Sequence, residues 1–262
     1  VCLAGTGVGK SLFMCHVAAS SLIQSKNVLY ITMEMAEEKI AERIDANLMN
    51  ITLEDLHDLP RRMYESRIDK IRKKTTGKLI IKEYPTASAH CGHFRALHSE
   101  LLLKKQFRPD IIFIDYINIC ASSRFKYGSN VNSYTYIKGI AEEMRGLAVE
   151  FDIPILTATQ TTRQGFVSTD IGLEDTSESF GLPTTADFMF ALVSTEELEQ
   201  LNQMLVKQLK NRYNDPTANK RFIIGVDRAK MKLYDVAQAA QQDMVDTGQE
   251  EEIIDRFANF KV

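Results

Sequence analysis

The chain has 262 residues, 44% of them hydrophobic, and its 32 basic and 35 acidic side chains leave a formal net charge of −3. This composition is typical of a soluble globular protein and excludes collagen-like, disordered and coiled-coil classes. The mild acidity also argues against a nucleic-acid-binding protein that relies on bulk positive charge, because such domains are usually strongly basic. A chain of this length can form one large α/β domain.

The acidic excess is concentrated at the end of the chain. Residues 239–262 hold six acids and two bases, and the rest of the chain is near neutral. We predict one domain over residues 1–237 and an acidic, flexible tail over 238–262, which shows little periodicity. The chain starts without Met and almost directly at a motif that normally follows a full strand, so we expect a truncated first strand and a fragment of a longer protein.

Cysteine spacing and hydropathy indicate a reducing compartment. The four cysteines, at positions 2, 15, 91 and 120, are far apart and form no CxxC pair. Unpaired thiols are typical of cytoplasmic proteins. Apolar runs near 18 residues and a signal peptide are both lacking in the sequence, so we expect no membrane association.

Short apolar runs alternate with stretches of helical periodicity. The predicted helices include residues 36–49 and an apolar stripe from 137 to 151. Such alternation predicts βαβ units, and hence a mostly parallel twisted sheet flanked by helices. The predicted buried strands are 28–32, 79–82, 111–114, 153–158 and 188–193. Three further strands, predicted to be antiparallel at the C-terminal edge, are 206–212, 221–226 and 232–236.

Residues 4–11 read Ala-Gly-Thr-Gly-Val-Gly-Lys-Ser, the P-loop pattern with its first glycine replaced by alanine. Glycines let successive backbone N–H groups surround a phosphate, and the following helix adds its dipole. Lys10 is predicted to reach the β- and γ-phosphates, and the Ser11 hydroxyl to bind Mg²⁺. The predicted nucleotide-binding residues are Gly5, Thr6, Gly7, Val8, Gly9, Lys10 and Ser11.

Three polar residues end predicted strands and should meet at the P-loop edge of a parallel sheet. Asp115 follows four apolar residues and is predicted to bind Mg²⁺ directly or through water. Glu34 ends the strand after the P-loop helix, where a carboxylate can act as general base towards water. Gln160 is predicted to sense the γ-phosphate. The alternatives are a solvated acid at Glu34 and an ordinary polar strand end at Gln160.

These motifs, in this order, resemble the DnaB-type replicative helicases of the RecA-like ATPase group, most closely those of T-even bacteriophages. The resemblance runs from residue 1 to about 236 and includes the segments AGTGVGKS (4–11), YITMEMAEE (30–38), RIDAN (43–47), IDY (114–116), IAEE (140–143), ESFGLP (178–183) with ADFM (186–189), and KNRY (210–213). It implies a RecA-like P-loop core and a homohexameric ring that hydrolyses ATP or another NTP at subunit interfaces. Such a ring translocates 5′ to 3′ on single-stranded DNA.

The resemblance also assigns roles to individual residues. It matches Glu34 with the catalytic glutamate, Gln160 with the γ-phosphate sensor, and Lys210 and Arg212 with charges supplied to the neighbouring subunit's nucleotide. Residues two apart on a strand point to the same side, so the last two should form one positive face. The family further implies an N-terminal collar domain missing from this chain, primase and a helicase loader as partners, and a phage protein in the host cytoplasm.

Two loops are expected to face DNA at the centre of such a ring. The first follows Asp115 and carries Arg124, Lys126 and Lys138 with aromatic residues and no acid between them. Such a loop can follow phosphates and stack on bases. The second runs from about 161 to 179 and contains Arg163, but it is also acidic.

Two rival functions and two weaker features remain open. The same core could belong to a recombinase or ring ATPase that binds DNA without unwinding it, or to a non-catalytic, nucleotide-gated DNA clamp. A possible metal site would use His90, Cys91, His93 and His98, but these residues contain only one close His-x-x-His spacing and no second pair, which disfavours metal binding. The basic run from 61 to 82 is interpreted as a solvated helix face.

Overall fold

A computed structural model describes residues 1–125, 131–162, 171–176, 181–215 and 219–237, so the predicted tail over 238–262 lies outside the described residues. The strands are β1 (Cys2–Ala4), β2 (Val28–Thr32), β3 (Leu79–Glu83), β4 (Ile111–Asp115), β5 (Ile155–Gln160), β6 (Phe188–Val193), β7 (Gln203–Asn211), β8 (Arg221–Asp227) and β9 (Lys232–Asp235). The helices are α1 (Lys10–Ile23), α2 (Glu37–Met49), α3 (Leu53–His57), α4 (Arg61–Arg72), α5 (Cys91–Lys105), α6 (Ser133–Phe151), α7 (Gly181–Thr185) and α8 (Glu196–Gln200).

All the strands in the described ranges form one sheet, in the order β3-β2-β4-β5-β1-β6-β7-β8-β9. The six strands from β3 to β6 in that order are parallel, and β7, β8 and β9 continue the sheet in antiparallel pairs. The predicted α/β fold, with a mostly parallel sheet and antiparallel strands at the C-terminal edge, is therefore confirmed.

The centre of the sheet is buried on both faces, and its strands carry apolar side chains on both. On β2, Val28 and Tyr30 pack into a cluster with α1 and α2, whereas Leu29 and Ile31 pack into a cluster with α5 and α6. Alternating residues of a strand point to opposite faces, so a continuous apolar run is what such a strand requires. No helix in the described part of the chain has the length and hydropathy needed to cross a membrane.

Two strands differ from their predicted bounds by more than one residue. The strand predicted at 153–158 begins at Ile155, because Ile153 instead donates its N–H to Ala148 where α6 ends. The strand predicted at 206–212 is β7, which begins at Gln203 and ends at Asn211. Arg212 therefore lies just after this strand.

Candidate active site

The loop between β1 and α1 has the backbone conformation of a phosphate-binding loop. Gly7 has φ of 79° and Gly9 has φ of 132°, which are conformations that side-chain-bearing residues rarely adopt. Gly9 is also the N-cap of α1, so the unpaired N–H groups of the first helical turn lie next to the loop. The loop can therefore receive an anion on backbone donors.

Lys10 lies within this loop. It is 9% exposed, and its Nζ donates to the carbonyl oxygens of Ala4 at 3.2 Å and Gly5 at 3.1 Å. Burial lowers the pKa of Lys10, and the nearby negative charges of Glu34 and Asp115 oppose that shift. The charges of both predicted carboxylates therefore act on this ammonium group.

Asp115 presents one oxygen that lacks a partner. Its side chain is 1% exposed, and Oδ2 accepts a hydrogen bond from the Tyr30 hydroxyl at 3.0 Å. Oδ1 is buried and has no hydrogen-bond partner among the described residues. Burial raises the pKa of Asp115, while the hydroxyls of Tyr30 and Ser11 and the charges of Lys10 and Arg43 act to lower it. A buried carboxylate oxygen with a free lone pair, near the Ser11 hydroxyl, fits a Mg²⁺ ligand.

Glu34 lies on a tight turn at the end of β2. Thr32 pairs with Asp115 in the sheet, so β2 and β4 end side by side. The Thr32 hydroxyl closes the turn, donating to the Met35 carbonyl at 2.8 Å and accepting from the Met35 N–H at 3.1 Å. Glu34 is exposed at the tip of this turn and influences the pKa of Lys10. A carboxylate there is accessible to water and close to the phosphate-binding loop.

Gln160 completes this edge of the sheet. It is the last residue of β5 and pairs with Ala4, directly before the phosphate-binding loop. Its Nε2 donates to the Tyr116 hydroxyl at 3.2 Å, which links it to the residue after Asp115. The structure therefore brings together at one edge Lys10, Ser11, Glu34, Asp115 and Gln160.

Lys210 and Arg212 lie at the opposite end of the strands, away from the phosphate-binding loop. Arg212 forms an ion pair with Asp187 at 2.7 Å and donates to the Thr184 carbonyl at 3.3 Å. Lys210 donates to the carbonyls of Pro183 at 2.7 Å and Thr184 at 3.2 Å. Burial lowers the pKa of Lys210, as does the charge of Arg212. Both cations thus contact the segment that precedes β6.

Strand register measures how far this pair lies from the phosphate-binding loop. Ala4 pairs with Leu192 of β6, whereas Lys210 pairs with Met189. Three residues of strand span about 10 Å, and both cationic side chains point further away, towards the residues before β6. The same chain's Arg212 therefore cannot reach its own phosphate-binding loop in this arrangement.

The predicted DNA-binding residues are only partly described. Arg124 forms an ion pair with Glu142 of α6 at 2.8 Å. Lys138 lies within α6, which begins at Ser133, so its predicted place on the loop is wrong. Lys126 and Arg163 lie outside the described residues.

Two residues near the predicted sites carry no local sequence signal for their contacts. Arg228, in the turn between β8 and β9, donates to the Val8 carbonyl of the phosphate-binding loop at 3.4 Å and pairs with Glu199 at 3.6 Å. Asp187 accepts a hydrogen bond from Arg145 at 3.2 Å in addition to its pair with Arg212. Both contacts join residues far apart in sequence.

Comparison with known protein families identifies the family of this chain. The family model of the DnaB-like helicase C-terminal domain matches residues 1–230. The chain belongs to this family. The DnaB-like domain occupies most of the described residues, and the predicted resemblance to DnaB-type helicases is confirmed.

Relatives of this DnaB-like domain are replicative helicases by name. The "DnaB-like replicative helicase" of Enterobacteria phage T4 is 47% identical over 241 residues, which cover 91% of this chain and 50% of that protein. A "Probable plasmid replicative DNA helicase" of Chlamydia trachomatis is 30% identical over 162 residues, covering 60% of this chain and 34% of that protein. The chain thus spans about half the length of the T4 relative.

Two solved structures share the fold at low sequence identity. One is an ATPase domain, with a TM-score of 0.72 and 17% identity, covering 90% of this chain and 84% of that one. The other, a DnaB-like replicative helicase described with its interactions with primase, has a TM-score of 0.72 and 16% identity, covering 90% of this chain and 57% of that one. The DnaB-like domain therefore has the fold of a RecA-like helicase ATPase domain.

Proposed function

We propose that the chain is the motor domain of a replicative DNA helicase. It hydrolyses ATP, or another NTP, at subunit interfaces of a homohexameric ring, moves 5′ to 3′ along single-stranded DNA and unwinds the duplex at the replication fork. The observation that carries the proposal is the meeting of Lys10, Glu34, Asp115 and Gln160 beside one phosphate-binding loop. The names of the relatives support the same function.

Each residue of this edge has a part in phosphoryl transfer to water. The loop backbone and Lys10 hold the phosphates, with Lys10 exchanging its bonds to Ala4 and Gly5 for phosphate oxygens. Glu34 orients the attacking water and accepts its proton. Gln160 contacts the γ-phosphate and passes its presence or loss to Tyr116, at the start of the segment leading to the DNA loop.

Ser11 and Asp115 are the residues that would hold Mg²⁺. When bound, the ion neutralises negative charge on the phosphate oxygens. Tyr30 occupies Oδ2 of Asp115 and thereby leaves Oδ1 for a metal or for a water bound to it.

Lys210 and Arg212 are proposed to act on the neighbouring subunit's nucleotide. Because both lie at the edge opposite their own phosphate-binding loop, they can serve a nucleotide only if a second chain brings it to them. A cation supplied in this way stabilises charge on the transferred phosphoryl group and can increase the rate by about 10³-fold or more.

The proposed setting is the bacterial host cytoplasm, with primase and a helicase loader as partners of the full-length ring. One protein of the same fold is described with its interactions with primase, which supports the first partner.

Two substitutions in the full-length protein test the site. Lys10→Ala and Glu34→Gln should each abolish DNA-stimulated ATP hydrolysis, since one removes the phosphate ligand and the other the general base. Glu38→Gln, an exposed acid four residues further along on α2, is the matched control and should hydrolyse normally. Phosphate release is measured with and without single-stranded DNA.

The outcomes separate the proposed function from its rivals. Normal turnover in Lys10→Ala or Glu34→Gln would contradict the site. Hydrolysis by the wild-type protein without unwinding of a forked duplex would favour the recombinase or ring ATPase that binds DNA without unwinding it. Complete absence of hydrolysis in the presence of DNA would favour the clamp.

A further inference from the structure

The Ser122 hydroxyl forms three hydrogen bonds in the segment that leads into the first predicted DNA loop. Ser122 Oγ donates to Glu143 Oε1 at 2.6 Å and accepts from the backbone N–H groups of Arg124 at 3.1 Å and Phe125 at 3.3 Å. Because its proton is used by Glu143, the lone pairs of this hydroxyl are free to accept from the backbone. The carboxylate thereby sets the turn that follows.

Glu143 itself is a buried charge. The side chain, on α6, is 6% exposed, and its two oxygens also accept the Ser123 N–H at 3.1 and 3.0 Å. Although burial alone would raise the pKa of Glu143, hydrogen bonds from Cys91, Ser122 and Ser123 outweigh it and lower the pKa. A buried carboxylate that relies on such donors keeps them in place, because losing one leaves charge without a partner.

Further contacts hold the same segment from both sides. The Phe125 ring lies against Gly139 of α6, where a Cβ would be 2.7 Å from the ring carbon Cε2. The Tyr136 hydroxyl accepts the Ser122 N–H at 3.2 Å. On the other side, Ala121 donates to the Ala89 carbonyl at 2.8 Å. Residues 121–125 are therefore attached to α6 and to the segment before α5.

We propose that Glu143 is a positioning residue for DNA binding, which fixes residues 122–125 so that the loop presents Arg124 to single-stranded DNA without first having to be ordered. This rests on the proposed function, because it takes the segment as the base of a DNA-binding loop. If residues 122–125 are ordered in advance, less conformational entropy is lost when DNA binds.

The position of Arg124 agrees with this role. Its backbone N–H is held by Ser122, whereas its guanidinium forms an exposed ion pair with Glu142 at 2.8 Å. Exposed pairs of this kind contribute little to stability, so the guanidinium can exchange Glu142 for a DNA phosphate while the backbone stays fixed.

The test measures how much DNA is needed to stimulate hydrolysis. In the full-length protein, Glu143→Gln places amide N–H donors beside the Ser123 N–H, and Ser122→Ala removes the shared hydroxyl. Each should raise the single-stranded DNA concentration for half-maximal ATPase stimulation by about 5- to 10-fold, with little change in the DNA-free rate. Glu150→Gln is the matched control, because Glu150 lies on the same helix but pairs with Arg95 on the surface at 2.8 Å.

Four results would distinguish the explanations. Wild-type half-saturation in both folded variants overturns the proposal. A parallel fall of the DNA-free rate and the melting temperature also overturns it, because Glu143 would then be only structural. If Glu143→Gln does not fold, Ser122→Ala decides by the same readout. If DNA fails to stimulate even the wild-type protein, the proposed function fails together with this inference.

Discussion

Single side chains hold the predicted functional residues in place at both edges of the sheet. Tyr30 occupies one oxygen of Asp115, and Asp187 pairs with Arg212. Neither Tyr30 nor Asp187 would itself touch a phosphate. Tyr30 restricts the arrangements of Asp115, which would hold the metal, and Asp187 restricts those of Arg212, which would contact a phosphate. This is how catalytic groups are preorganised.

A prediction at this scale concerns the Asp187 carboxylate. Arg212→Ala should lower hydrolysis while leaving nucleotide binding largely intact, and Asp187→Asn should do the same more weakly, by about 10- to 100-fold, because Arg212 is retained but loses its orientation. The measurements are kcat and the nucleotide Kd of the full-length protein. Asp69→Asn, an exposed acid that pairs with Arg72 on α4, is the control. Full-rate hydrolysis by a monomeric form would contradict the role of Arg212 in a neighbouring subunit.

The residues predicted from sequence at this scale are those with a local pattern. The phosphate-binding loop is contiguous, and Asp115 ends an apolar run, so both could be identified without a structure. The bond from Gln160 to Tyr116 spans 44 residues and that from Arg228 to Val8 spans 220. Such contacts depend on how distant segments pack, and no spacing rule predicts them.

At the scale of elements, α6 carries two glycines in different surroundings. A Cβ on the exposed Gly146 would meet nothing within 4 Å, whereas one on Gly139 would overlap the Phe125 ring. Gly146→Ala should therefore raise the free energy of unfolding by about 0.5–1 kcal/mol, since alanine restricts the unfolded chain and favours helix. Gly139→Ala should lower it, because Phe125 must move. Equal changes in denaturant midpoint for the two variants would contradict this contrast.

Element types were predicted better than element ends. Strands buried on both faces are continuous apolar runs, and the runs at Val28–Thr32 and Phe188–Val193 were predicted at their observed bounds. The predicted start of β5 was wrong because Ile153 is buried, as a strand residue would be, but its N–H donates to the Ala148 carbonyl of α6. Burial determines which residues are apolar, but hydrogen bonding determines where a strand begins.

At the scale of the whole molecule, three histidines link stability to pH. The pKa of His16, His90 and His98 is lowered in each case chiefly by burial. His16 Nδ1 accepts from the Leu233 N–H at 3.3 Å, and His90 Nδ1 caps α5 by accepting from the Gly92 N–H at 3.0 Å. Both bonds require a neutral ring.

These histidines should make the protein less stable as the pH falls. Below a pH of about 6.5 the unfolded chain takes up protons first, so their contribution is complete above that pH and is lost below it. His90→Asn retains a good N-cap but does not titrate, so its melting temperature should fall less than that of the wild type between pH 7.5 and about 6. An identical pH dependence for the two proteins would show that His90 makes no contribution.

Net charge was the least informative property of the whole chain. The value of −3 argued against nucleic acid, yet the family is one of replicative helicases, and the excess of acids over bases lies in residues 239–262. Under the proposed function, a ring that encloses its strand and releases it at every step has little use for a strongly basic surface.

The phosphate-binding loop is separated from Lys210 and Arg212 along the strands of the sheet, and this separation has a thermodynamic consequence. Under the proposed arrangement, one chain provides the pocket and the next provides two of its positive charges. Nucleotide binding and subunit association are then linked equilibria, in which each increases the other. In that arrangement, the apparent nucleotide affinity depends on the protein concentration as well as on the amino-acid sequence.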